Sequence, residues 1–214
     1  MTRSKTQVPP PPRPRRQAGP KRRDTQPPQW RKRAFIAGAA ALVLGAVIAA
    51  VVVVSDGGGE KALAEKLVAA GCTLKTYPEQ EPRHVATYEA KVAYNSFPPT
   101  SGTHHQQPVV WGEYPEPVVA IQEPHNLEHG GVIIQYGDKV PAATRKRLQA
   151  FYADSPNGMV LAPLPKLGNR IALTAWTKLA TCEQFDEKAF AAFRSAYRGK
   201  GPERFSVGDL KPGT

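Results

Sequence analysis

The stretch Pro124-His125-Asn126-Leu127-Glu128-His129-Gly130-Gly131-Val132-Ile133-Ile134-Gln135-Tyr136 decides how the fold is read. Val132 to Tyr136 opens with three β-branched residues and runs into Gly137-Asp138, which predicts a strand closed by a turn. Just before it, Gly130-Gly131 stops any helix, so the histidines ahead of the strand have about one helical turn to occupy.

Working outward, Pro141 opens a predicted helix to about Ala153, with Leu148, Phe151 and Tyr152 on its apolar face. Ser155-Pro156-Asn157-Gly158 ends it. Met159 to Leu164 and Arg170 to Lys178 are apolar runs that read as a hairpin turning through Pro165 to Asn169. Asp186 to Arg198 aligns Phe190, Phe193 and Tyr197 on a last helix that Gly199 closes. Upstream, Glu60 to Ala70 is helical, with Leu63, Leu67 and Ala70 on one face and Gly71 as its stop. Strands are also expected at Val118 to Gln122 and, through Tyr88, Ala90 and Val92, at Thr87 to Tyr94. The fold class is α+β: a small sheet with two or three packed helices.

The 214-residue chain carries a formal net charge of +11, but the charge is not spread evenly. Residues 1–33 hold eleven Lys/Arg against one acid, and the remaining residues hold eighteen against seventeen. The folded part is thus close to neutral, and a nucleic-acid partner is not expected. With eight prolines and few apolar side chains, 1–33 reads as a disordered, basic cytoplasmic tail.

Ala34 to Val54 is an uncharged apolar run of 21 residues. As a helix it spans roughly 30 Å, the thickness of a bilayer core. Trp30 and Arg31-Lys32-Arg33 flank one end, and Ser55-Asp56-Gly57-Gly58-Gly59, without a positive charge, lies beyond the other. This asymmetry predicts a transmembrane signal anchor with the amino terminus in the cytoplasm and the rest of the chain extracytoplasmic. The run is longer than the apolar core of a cleaved signal peptide. The expected organisation is a tail (1–33), an anchor (34–54), a linker (55–59), a domain (60–205) and a second disordered tail (206–214). In an oxidising compartment, Cys72 and Cys182 pair and close a loop of about 110 residues, worth on the order of 4–5 kcal/mol.

Four of the five histidines lie between Tyr94 and Tyr136. Imidazole is the commonest metal-binding side chain, and the spacing of His125 and His129 puts two rings on one face of a helical turn. With His104 or His105 they supply three nitrogens, and Glu128 adds an oxygen, a set suited to Zn²⁺ or Cu²⁺. Met159 offers a thioether for Cu⁺ or fills the core. His125-x-x-Glu128-His129 also matches a zinc-hydrolase signature, but the available turn is too short for it. An alternative makes Ser101 a nucleophile, with a neighbouring histidine as base and amides of Gly102, Gly130 or Gly131 as an oxyanion hole. Trp111-Gly112-Glu113-Tyr114 is packing over the sheet, or a platform for a glycan.

Three motifs carry a resemblance: Tyr94-Asn95-Ser96-Phe97-Pro98-Pro99-Thr100-Ser101-Gly102-Thr103-His104, Trp111-Gly112-Glu113-Tyr114, and His125-Asn126-Leu127-Glu128-His129-Gly130-Gly131-Val132. With Ala175-Trp176 and Phe185-Asp186-Glu187, they make the chain similar to the family catalogued as domain of unknown function 3105, over roughly Cys72 to Gly201. The resemblance implies membrane placement and one compact domain, and it brings no activity or catalytic residue. His105 lies outside the family pattern, which favours His104, His125 and His129. The leading reading is a histidine-lined, extracytoplasmic binding module for a transition metal. A hydrolase of a cell-envelope substrate and a non-catalytic envelope protein are the alternatives.

Overall fold

The computed structural model describes residues 58–214. The expected tail and membrane anchor lie outside the described residues. Among the described residues no helix is long and apolar enough to cross a membrane.

Helix α1 (Gly58–Ala69) begins two residues earlier than expected, so part of the expected linker is its first turn. It leads into β1 (Cys72–Thr76). A long irregular segment follows, holding only the two-residue strands β2 (His84–Val85), β3 (His104–His105) and β4 (Gly112–Glu113). The short helix α2 (Glu123–Glu128) precedes β5 (Val132–Tyr136) and α3 (Ala142–Asp154). The chain then forms β6 (Met159–Pro163), β7 (Ile171–Ala175), β8 (Lys178–Cys182) and α4 (Glu187–Tyr197). Asp186 caps α4, its carboxylate accepting the Ala189 amide at 2.8 Å.

The expected α+β class is observed, with a larger sheet: six strands in the order β1-β8-β7-β5-β6-β4. Strand β5 is central, parallel to β6 and antiparallel to β7. The helix between β5 and β6 is the connection that parallel neighbours require. Because β5 lies between β6 and β7, those two runs do not form the expected hairpin. The hairpin is instead β7 with β8, turning at Trp176-Thr177, where Thr177 takes φ 61°. Strand β1, unmarked by any apolar alternation, pairs with β8 so that Cys72 stands opposite Cys182, and the expected disulfide joins them.

Alternation along the strands feeds two cores. Val132, Ile134, Met159, Leu161, Ile171 and Leu173 face α1, α3 and α4, whose Leu67, Leu148, Phe190 and Phe193 are fully buried. Ile133, Val160 and Ala162 point the other way, against Trp111, Val109 and Leu127. The helices thus cover one face, and the irregular segment with α2 covers the other. That explains why β5 and β7 are buried on both faces. Met159 is core filler, and Trp111, 3 % exposed, is packing rather than a platform.

Three further expectations are corrected. Val118 to Gln122 is not a strand but the approach to α2, and Thr87 to Tyr94 forms no strand. Pro117 and Pro124, which cannot donate to a ladder, bracket the first, and most of the second is exposed. Residues 206–214 are not a loose tail. Leu210 is 3 % exposed, its carbonyl accepts the Gly158 amide at 2.7 Å, and Trp111 exchanges backbone hydrogen bonds with Gly213 and Thr214 at 2.9 Å. Leu210 joins the second core cluster, which supplies the apolar anchor that fixes this segment.

Candidate metal centre

The irregular segment is ordered by polar staples rather than by periodic structure. The Gln80 backbone amide donates to Ser101 Oγ at 3.1 Å, its side-chain amide donates to Ala93 O at 3.0 Å, and its Oε1 accepts Asn95 N at 2.9 Å. Asn95 in turn donates to Pro78 O at 2.7 Å, and the Tyr94 hydroxyl donates to Thr103 O at 2.8 Å. These bonds close the loop that carries His84 onto the loop before β3. There, β2 and β3 run parallel with His84 in register with His104.

The motif on α2 resolves into one task per residue. His125 and Glu128, three apart on a single turn, face β3. Asn126 clamps Val109, donating to its carbonyl at 2.7 Å and accepting its amide at 2.8 Å. Leu127 is fully buried in the core. Gly130 has φ +86°, and a Cβ there would press on the backbone of residues 199–201. A Cβ on Gly131 would overlap the Trp111 ring. Both glycines are therefore required by close packing, and their amides already donate to Leu127 O at 2.9 Å and Asn126 O at 2.8 Å.

His84, His104, His125 and Glu128 converge, with one donor atom from each lying within 4.8 Å of all the others. Of the expected set, His104, His125 and Glu128 are brought together. His129 sits beside them, its ring 4.5 Å from that of His125, but its Nε2 is 3.0 Å from Glu203 Oε2. His84 completes the group instead. The sequence signal for it was only that it is the one remaining histidine; the β2–β3 register brings it in. His105 turns away, its Nε2 3.3 Å from Ala86 O and its ring stacked on Tyr88 at 4.0 Å.

Two rings are held for coordination. His104 Nδ1 donates to Gly102 O at 2.8 Å, and His125 Nδ1 donates to His105 O at 2.9 Å. Carbonyls only accept, so each Nδ1 carries the proton and each Nε2 presents its lone pair inward. Backbone tethers of this kind orient metal-binding histidines. His104 Nε2 stands 3.1 Å from Glu128 Oε2, yet both atoms are buried without a hydrogen-bond partner. Two buried acceptors facing each other need a cation or a proton between them.

The electrostatics agree. Burial lowers the pKa of His104 to about 4, against the opposing bond from Gly102 and with help from the neighbouring histidines. Burial also lowers His125 and His129. Burial raises the Glu128 carboxyl, and nearby Glu203 adds to the rise. Burial thus favours the neutral form of His104 and His125, the form in which an imidazole binds metal.

Ser101 is fully buried, and its hydroxyl accepts the Gln80 amide rather than facing a histidine. It is a staple, as is Gly102, which takes φ +110° and offers its carbonyl to His104. This arrangement gives no support to the nucleophile reading.

Comparison with known proteins returned no match among curated proteins and none among solved structures. A family model described as Protein of unknown function (DUF3105) matches residues 84–207. The match contains every member of the His/Glu group and covers more than half of the chain, and the protein belongs to this family, the domain of unknown function 3105.

Proposed function

We propose that this protein binds a transition metal through His84, His104, His125 and Glu128, in an extracytoplasmic domain held by a single-pass membrane anchor. The observation that carries the metal reading is the buried, unpartnered pair of His104 Nε2 and Glu128 Oε2 at 3.1 Å. A tetrahedral ion with bonds of roughly 2 Å wants its donors roughly 3.3 Å apart, and this pair already meets that spacing. Three imidazoles and a carboxylate suit Zn²⁺ or Cu²⁺. No sulfur ligand is in the group, which disfavours Cu⁺. The apolar run of residues 34–54 with its basic flank supports the anchor. The Cys72–Cys182 disulfide suits an oxidising compartment.

Elemental analysis of the full chain, purified without a histidine tag, tests the reading beside a His104→Ala/His125→Ala double variant. Near-stoichiometric zinc or copper in the wild type, absent from a folded double variant, is the expected result. No metal in either, even after loading, would overturn it.

A further inference from the structure

The four members of the group are not held alike. Glu128 and His104 have side chains 8 % and 0 % exposed, and His125 is buried, whereas the His84 side chain is 51 % exposed. The His104 and His125 rings are tethered at Nδ1 by backbone carbonyls. Among the described residues the His84 ring has no such tether. Its neighbours are the edge of the His104 ring at 4.7 Å and the tilted His125 ring at 4.8 Å.

The backbone beneath His84 is also lightly held. Strand β2 has two residues and pairs only with β3. Its ring nitrogen stands 3.9 Å from Glu128 Oε2, against 3.1 Å for His104. Closing that gap to the roughly 3.3 Å of a tetrahedral donor set requires His84 to move inward, while the buried pair needs no movement.

We propose that His84 is the exchangeable ligand of the centre: the metal passes in and out on its side, and an outside imidazole, carboxylate or water can take its coordination position. This rests on the metal-binding reading above. His104, His125 and Glu128 form the retained set, two imidazoles and a carboxylate with the fourth position open to solvent. Such an open position distinguishes exchanging and reactive sites from closed structural ones.

The test uses the full chain, purified without a histidine tag and loaded with Co²⁺, whose visible bands report the ligand set. Transfer of the ion to excess EDTA is timed for wild type, His84→Ala and His104→Ala, each checked for folding by circular dichroism. The expected result is that His84→Ala still binds but releases the ion about tenfold faster or more, on the scale by which perturbed metal shells weaken sites. Added imidazole restores its wild-type spectrum and slows release, because the vacated position faces solvent. His104→Ala is not rescued, because its position is sealed. A wild type that binds no Co²⁺ removes the metal reading and this inference with it. A wild type that binds overturns this inference alone in any of three cases: His84→Ala releases at the wild-type rate, His84→Ala loses binding without imidazole rescue, or His104→Ala is rescued.

Discussion

Nε2 of His104 lies 3.1 Å from Oε2 of Glu128, and both atoms are buried without a hydrogen-bond partner. The Gly102 carbonyl fixes this arrangement by taking the only proton of the neutral imidazole. Glu128→Gln replaces the facing carboxylate with an amide that can donate to the nitrogen. The metal-free variant is expected to be more stable than the metal-free wild type by about 1–2 kcal/mol, the scale of relieving a buried unsatisfied group. It should also lose metal binding. Urea unfolding with and without zinc checks both, and a variant that binds zinc like wild type would contradict the site.

His129 is bonded to Glu203 and lies outside the converging group. His129→Ala is therefore expected to keep stoichiometric metal, whereas His125→Ala loses it. Titration of both variants with zinc distinguishes them.

Burial raises the Glu123 carboxyl to about 8, although the Gln135 amide bonded to it works in the other direction. From its ordinary value of 4.5 up to about 8, the folded chain therefore holds a proton that the unfolded chain has released. The stability this group contributes is full below the lower value and is lost as pH rises through the upper one. Glu123→Gln should remove that fall and exceed wild type at pH values above 8, with its amide reaching the unpartnered Gln135 Oε1. Urea midpoints measured across the window check it; an unchanged fall in the variant would assign the effect elsewhere. His104 acts with the opposite sign, its contribution being present above 6.5 and lost as pH falls through about 4. The difference between variant and wild type isolates Glu123.

The Cys72–Cys182 bridge closes a sequence separation of 110 residues that contains all four members of the group. Replacing both cysteines with alanine should cost about 4–5 kcal/mol on the chain-entropy scale, measured as a shift in the urea midpoint. Reductant should reproduce the loss in wild type and leave the variant unmoved.

Gly201 sits where a Cβ would overlap Glu128 O and Gly130 N. Around it, Gly199 N donates to Gly130 O at 2.7 Å and Glu203 N donates to Glu128 O at 3.0 Å. Gly201→Ala should lift this strap from α2 and destabilise the domain by about 1–3 kcal/mol, as overpacking does. Metal affinity should fall with it, because Glu128 is one of the residues displaced. Calorimetric melting and zinc titration report the two effects separately.

Local patterns in the sequence were enough for the long elements. The periodic faces of Leu63 and Leu67, of Leu148, Phe151 and Tyr152, and of Phe190 and Phe193 are the buried faces of α1, α3 and α4. The β-branched run at Val132 is the central strand. The even cysteine count led to the observed bridge, and the α2 motif led to two of the four site residues, with His104 supplied from β3.

What only the tertiary structure decided is which strands are neighbours and which imidazoles meet. An apolar run specifies burial but not its partner, so β6 and β7 read as a hairpin until β5 is placed between them. His84 lies in a Pro-rich segment with no periodicity, and it reaches the centre only because β2 pairs with β3 across twenty residues of sequence. His129 sits at the right helical spacing for a ligand, yet the strap carrying Glu203, distant in sequence, claims its nitrogen. Short-range periodicity follows from the geometry of a helix or strand and can be read along the chain. Pairing register and the competition of two carboxylates for neighbouring imidazoles depend on distances between segments, and these exist only once the chain is folded.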